Sequence, residues 1–150
     1  MNCKEFIKKG LLEEKNIGFD QIGKLLERAF RNIKSAKTLI KDDDKEGAFR
    51  FAYEAMLLAG RALVFSHGLR PRSVGSHKIV VDFVSENLGK DYKILVQKFD
   101  RMRRKRNYLI YGIGLAISGL EANNAVGVAE EFVKTIKDFI KDKNPQGELL

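Results

Sequence analysis

The stretch RRKRNYLIYG, residues 103–112, decides how the fold is interpreted. Four consecutive basic residues run directly into YLIY, a segment typical of protein core. At about 100° per residue, a helix here has an apolar stripe formed by Leu95, Phe99, Met102, Leu109 and Ile113. Arg106 falls in the middle of this stripe, whereas Arg101, Arg104 and Lys105 lie off it. The stretch therefore predicts an amphipathic helix with one arginine on its core-facing side.

Arg106 needs a partner or a polar environment, because burying an unpaired guanidinium costs several kcal/mol. One interpretation is a structural ion pair with a core-facing acid, for which Glu54 is the candidate. The other is a polar cleft at a subunit interface, and we favour this second interpretation. For Arg101, Arg104 and Lys105, an ordinary solvated face and ligand binding both stay open.

The periodicity elsewhere predicts further helices around this one. Apolar residues step by threes and fours between residues 19 and 41, which is typical of a helix in a bundle. We expect five helices, at about 19–41, 45–66, 76–89, 90–111 and 118–142. The aspartates at 42–44 are expected to cap the second helix, Ser76 to cap the third, and Ser118 with Glu121 matches a capping box.

The chain of 150 residues is expected to form one domain. The fold class is all-α, an antiparallel up-and-down bundle of four to five helices at residues 19–142. Residues 1–18 are expected to form a short helical extension, with a helix at about 3–15. Residues 143–150 are expected to be a frayed tail. No strand-like alternation is evident, and HGLRPRSVGSHK (67–78) is interpreted as a loop.

Charge and cysteine content limit the classes of partner and compartment. Lysine and arginine total 28 against 20 acidic residues, so the net charge is +8 and anionic partners are favoured. The single cysteine, Cys3, excludes an internal disulfide. The N-terminus lacks the apolar core of a secretory signal, and the most apolar segment, AMLLAGRALVF, is interrupted by Arg61. We expect a soluble cytoplasmic protein with no membrane partner.

Arg106-Asn107, three further residues and then Tyr111 resemble the signature of the HEPN superfamily (higher eukaryotes and prokaryotes nucleotide-binding). That signature is an arginine, often followed by a polar residue, and a histidine four to six positions after the arginine. SAKTLIKDDDKEGAFRFAYEAMLLAGRALVFSHGLRP, then GSHK, then FDRMRRKRNYLIYG and a closing helix occur in the family's order. The resemblance covers roughly residues 19–142.

The resemblance implies a homodimer in which the arginine motifs of both subunits converge on one cleft. Many relatives of this kind are metal-independent ribonucleases, and others bind nucleotides or pair with a minimal nucleotidyltransferase. Arg106 takes the arginine role and Asn107 the polar role, and Tyr111 stands at the histidine position. An ordinary tyrosine pKa of about 10 makes it a poor general base near neutral pH. Arg106 and Tyr111 also lie about 140° apart on a straight helix.

Other cations and the two histidines complete the candidate site. The basic residues predicted to hold phosphate groups are Arg101, Arg103, Arg104, Lys105, Arg70 and Arg72. His77 would supply the missing acid–base group if its loop folds over the motif; alternatively it caps the third helix or faces solvent. Two histidines and one distant cysteine do not make a metal site, and no glycine-rich phosphate loop is present, so we expect no metal and no cofactor.

The sequence leads to an expected function with two alternatives. We expect a homodimer that binds RNA or a nucleotide at a basic cleft around Arg106. One alternative is a metal-independent endoribonuclease, of the toxin or RNA-processing type, that uses Tyr111 or His77. The other is the partner of a minimal nucleotidyltransferase in a toxin–antitoxin pair. Whether the protein is an enzyme stays open.

Overall fold

A computed structural model describes residues 2–73, 76–112 and 116–143, and for Tyr111 it describes the backbone alone. Within these residues the elements are α1 (Cys3–Lys8), β1 (Leu12–Glu14), α2 (Phe19–Lys41), α3 (Lys45–Ser66), β2 (Leu69–Pro71), α4 (His77–Leu88), α5 (Lys93–Tyr111) and α6 (Gly119–Lys143). A 3₁₀ turn at Lys90–Tyr92 precedes α5. The predicted all-α class is confirmed.

Helix α3 is the centre of the bundle and packs against α2, α4, α5 and α6. Its core side is rich in fully buried small residues, which allow neighbouring helices to approach closely: Ala48, Ala52, Ala55, Ala59 and Ala62. Helix α4 approaches closely at Gly60, where an added Cβ would lie 2.6 Å from Cγ1 of Val80. Gly60 therefore fixes how near α4 lies to α3.

The predicted caps of the second and fifth helices are confirmed. The carboxylate of Asp44 accepts a hydrogen bond from the Gly47 amide at 2.9 Å. The Ser118 hydroxyl accepts from the Glu121 amide at 3.0 Å, and the Glu121 carboxylate accepts from the Ser118 amide at 3.3 Å. Ser76 precedes α4 as predicted, but its side chain makes no capping hydrogen bond.

The prediction of one N-terminal helix to about residue 15 is wrong. Helix α1 ends at Lys8, and Gly10 turns the chain with a φ of 71°. Leu12–Glu14 then pairs in antiparallel fashion with Leu69–Pro71, a segment interpreted from sequence as loop. Helical periodicity over so few residues does not distinguish a helix from a strand, and this pairing partner is more than fifty positions away.

The start of the predicted fourth helix is corrected as well. Gly89 ends α4 with a φ of 83°, and the chain makes the 3₁₀ turn before α5 begins at Lys93. Ile113 of the predicted apolar stripe and residues 144–150 of the predicted tail lie outside the described residues. Within the described ranges, no helix combines the length and apolar character that crossing a membrane requires.

Candidate functional site

Arg106 extends the core-facing side of α5. Leu95, Phe99 and Met102 are buried as predicted, and Arg106 follows one turn later in a half-buried position. Its guanidinium donates a long hydrogen bond of 3.4 Å to the Asn107 side chain. Among the described residues, no carboxylate forms an ion pair with Arg106, so the pair with Glu54 considered from sequence is not formed.

The other three cations of the run RRKR all have acidic partners. Arg103 Nε lies 2.9 Å and Arg104 Nε lies 3.6 Å from the carboxylate of Asp100. Lys105 reaches across to α6, where its Nζ lies 3.2 Å from Glu121. These ion pairs neutralise part of the positive charge of α5 within the protein. Arg106, the fourth cation of the run, has no such carboxylate partner among the described residues.

His77 lies on the first turn of α4, and its Nδ1 lies 2.8 Å from the hydroxyl of Tyr53 on α3. Burial lowers the pKa of His77 from 6.5 to about 4, and the charge of Arg106 adds to this effect, followed by Arg61 and Arg103. The imidazole is therefore neutral at pH 7. Three helices thus bring a tyrosine, a histidine and uncompensated positive charge to one place.

Tyr53 is almost fully buried, at 1% exposure, and burial raises its pKa above the ordinary value of 10. Its hydroxyl therefore keeps its proton. If Tyr53 donates to Nδ1, the other ring nitrogen of His77 carries a hydrogen and can donate to a phosphate oxygen. If Nδ1 donates to Tyr53, Nε2 has a free lone pair and can accept a proton. Chemically the imidazole can act in binding or as a base.

The predicted ligand residues of the loop lie in a neighbouring cleft. Arg70 Nε lies 2.6 Å and Arg72 Nε lies 3.7 Å from the carboxylate of Glu13 on β1. Arg101, in contrast, lines a cleft between α5 and α6. Tyr111 ends α5, and its side chain lies outside the described part of the chain.

Sequence reasoning missed two residues of α3, Tyr53 and Arg61. They are eight positions apart, which places them about 80° apart around the helix and roughly 12 Å apart along it. Both interact with His77. Arg61 was noticed because it interrupts the apolar run AMLLAGRALVF, and this signal would have identified it as a site residue. Tyr53 carries no comparable signal, because an aromatic residue in a core helix is ordinary.

The model of the HEPN domain matches residues 22–139, which is more than half of the chain. The match extends from α2 into α6 and includes Arg106, Asn107 and Tyr111. The chain therefore belongs to the HEPN family, as its resemblance indicates. This membership indicates a function related to nucleotides or RNA. No protein with a curated description matches the chain.

Proposed function

We propose that the protein binds RNA or a nucleotide through a phosphate group at Arg106, Asn107 and His77, which we call the Arg106 site. The observation that carries this proposal is the charge balance of α5. Its three neighbouring cations contact carboxylates, whereas Arg106 has none among the described residues. A half-buried guanidinium favours an anionic partner, and it matches phosphate oxygens with two parallel hydrogen bonds.

The environment of His77 supports the same proposal. Nearby arginines help to keep its pKa near 4, so a bound phosphate that offsets their charge raises this pKa towards neutrality. The neutral imidazole is then a stronger proton acceptor, while burial still holds its pKa below the ordinary value of 6.5. The capacity to accept a proton is the property that Tyr111, at the histidine position of the family signature, lacks when its pKa is unperturbed.

We further propose a homodimer formed through the outer side of α5. Ile94 and Tyr108 are 67% and 62% exposed there, so each leaves apolar surface in contact with solvent. They are fourteen residues apart, so they lie on nearly the same side of the helix. A second copy of the chain would cover both.

The test of this dimer is the molar mass in solution, measured by light scattering. Tyr108→Glu is expected to shift a dimer to monomer. A wild-type monomer at micromolar concentration contradicts this proposal.

A second candidate function is a metal-independent endoribonuclease. The observation that favours it is the convergence of His77 and Arg106 from different helices. Cleavage requires removal of the 2′-hydroxyl proton, and Nε2 of His77 is available for this in one tautomer. Arg106 would stabilise the negative charge that develops on phosphorus oxygens. The proton for the leaving oxygen would come from Tyr111.

The test is incubation of end-labelled RNA in EDTA with wild type, Arg106→Ala, His77→Gln and Arg104→Ala, in which both RNA binding and RNA cleavage are measured. We expect Arg106→Ala to weaken RNA binding by roughly tenfold to hundredfold, because it removes charged hydrogen bonds to phosphate. Arg104 is a matched control on the same helix, with a more exposed side chain and an acidic partner. We expect its variant to lose less than about threefold, as is typical of an exposed charge.

Each result of that test has a defined meaning. Equal binding by wild type and a folded Arg106→Ala contradicts the proposal, and loss of helicity in circular dichroism makes the arginine structural. Cleavage in EDTA that is lost in both Arg106→Ala and His77→Gln establishes the ribonuclease. Binding without cleavage establishes a binding protein. Absence of both in wild type favours a protein partner instead.

A further inference from the structure

A cleft of about 580 Å³ opens beside the Arg106 site, where the chain after β1 and the end of α3 meet β2 and the chain that follows it. We call it the Arg61 cleft. Among the described residues that line it, four are basic and none is acidic, and two hydroxyls are present. These polar residues are Lys15, Arg61, Arg70, Arg72, Ser73 and Ser76.

The lining of this cleft differs from that of two other basic clefts. The cleft between α5 and α6 contains lysines and an arginine, but Glu121 and Glu131 also line it. The cleft between α2 and α6 contains five lysines together with Glu130, Glu131 and Asp138. In both, the carboxylates offset the cations locally. Among the described lining residues, the Arg61 cleft therefore has the largest excess of cations over carboxylates of these three clefts.

Arg61 connects the cleft with the Arg106 site. It is half-buried on α3, and no carboxylate among the described residues forms an ion pair with it. Its charge nevertheless acts on both Tyr53 and His77: it opposes the rise that burial causes in the pKa of Tyr53, and it adds to the fall that burial causes in the pKa of His77. Ser76, which lines the cleft, immediately precedes His77 in the chain. One guanidinium therefore lies within electrostatic reach of both sites.

The opposite wall of the cleft is held in place by Glu13. Its carboxylate contacts Arg70 at 2.6 Å and Arg72 at 3.7 Å, which positions both side chains. One carboxylate does not neutralise four cations, so positive charge remains.

We propose that the Arg61 cleft is a second phosphate-binding site, and that it takes a second phosphate of the ligand held at the Arg106 site. This inference rests on the proposed function and deepens it, because two adjacent sites require a ligand with at least two linked phosphates. An RNA strand provides these as neighbouring internucleotide phosphates. A nucleoside triphosphate provides them as its polyphosphate chain. A nucleoside monophosphate occupies one site only.

The experiment measures binding of a labelled, short single-stranded RNA by fluorescence anisotropy over a series of salt concentrations. The proteins are wild type, Arg61→Gln, Lys15→Gln and the control Lys34→Gln, an exposed lysine on α2. We expect Arg61→Gln to weaken binding roughly tenfold and to reduce the logarithmic salt slope by about 0.7, the value for one released counterion on a single strand. Lys15→Gln should change both quantities in the same direction but less, and Lys34→Gln should change neither.

Competition of the labelled RNA by unlabelled ATP and AMP distinguishes the two sources of phosphate. If ATP competes better than AMP with wild type and loses this advantage with Arg61→Gln, the polyphosphate chain occupies both sites. If ATP and AMP compete equally weakly while the RNA effects hold, the second phosphate belongs to an RNA strand. Both results support the second site.

Failure of this inference is distinguishable from failure of the proposed function. If Arg106→Ala loses binding while both cleft variants keep wild-type affinity and salt slope, the second site is excluded and the Arg106 site stands. If the cleft variants lose binding and Arg106→Ala does not, the ligand occupies the cleft alone and both proposals are overturned. Lys15 is exposed, so its variant keeps the test valid should Arg61→Gln prove unfolded.

Discussion

The two histidines of this protein have the same lowered pKa, about 4, but lie in different surroundings. His67 follows α3 and its ring meets Phe83 edge-on at 5.1 Å. Its Nε2 is buried without a hydrogen-bond partner within the described residues. His77 instead contacts the hydroxyl of Tyr53 and faces three arginines. A lowered histidine pKa alone therefore does not locate a functional site. The groups around the imidazole decide whether it can take part in binding or proton transfer.

Helix α4 links the two histidines, because it carries His77 and the Phe83 that covers His67. Its place depends on Gly60. We expect Gly60→Ala to lower the free energy of unfolding by about 1–3 kcal/mol, since the new methyl group overlaps Val80. Chemical denaturation measures this effect. Both histidine pKa values should rise towards 6.5 as α4 moves away.

The matched control for that substitution is Gly127→Ala in α6, where an added Cβ meets no atom of the described residues within 4 Å. Alanine is the better helix former, so this variant should be more stable than wild type by about 0.5–1 kcal/mol. Equal effects at both glycines would show that close α3–α4 packing does not position His77.

Stability should depend on pH through both histidines. Their folded pKa of about 4 lies below the ordinary value of 6.5, so between these values the unfolded chain binds more protons. The free energy of unfolding is therefore highest above pH 6.5 and decreases as the pH falls to 4. We expect about 1–2 kcal/mol per histidine, reduced from the full shift because each ring is partly exposed.

Single variants separate the two contributions to this pH dependence. Denaturation curves at pH 7 and pH 4.5 should differ less for His67→Gln and for His77→Gln than for wild type. Added RNA should reduce the contribution of His77 alone, because phosphate offsets the arginines around it. An equal effect of RNA on the contribution of His67 would remove the functional distinction between the two.

Tyr53→Phe tests the hydrogen bond to Tyr53, which distinguishes His77 from His67. Loss of the contact between the hydroxyl and Nδ1 should destabilise the protein by about 1 kcal/mol, and it should broaden the imidazole signals of His77 in NMR spectra. The signals of His67 should not move. Unchanged stability and unchanged His77 signals would show that this contact does not hold the ring.

The smallest expected effect is electrostatic. Burial is the main cause of both lowered pKa values, and a nearby cation is the second: Arg106 for His77 and Lys143 for His67. Arg106→Gln should therefore raise the pKa of His77 by roughly half a unit and leave that of His67 unchanged. Lys143→Gln should raise the pKa of His67 and leave that of His77 unchanged. NMR titration of the two imidazoles measures both shifts, and a shift of the wrong histidine would contradict the assigned neighbours.

Much of the helical architecture could be predicted from the sequence, because it depends on local patterns. The apolar period predicted the bounds of α2 and α3. Local capping signals predicted where two helices begin, with Asp44 before α3 and Ser118 before α6. The pairing of Leu12–Glu14 with Leu69–Pro71 could not be predicted. It depends on two short segments that meet only after α2 and α3 have packed.

The sequence by itself determined the family, the positive charge and the core-facing position of Arg106, because each follows from residue types and spacing along one chain segment. Only the tertiary structure decided that Lys105 is neutralised, since Glu121 belongs to α6, whereas Asp100 shares α5 with the arginines it contacts. It also decided that His77 meets Tyr53 and that Arg61 opens onto a basic cleft. These contacts join residues of different helices. The distances between such residues are set by how the helices pack against one another rather than by position along any one helix.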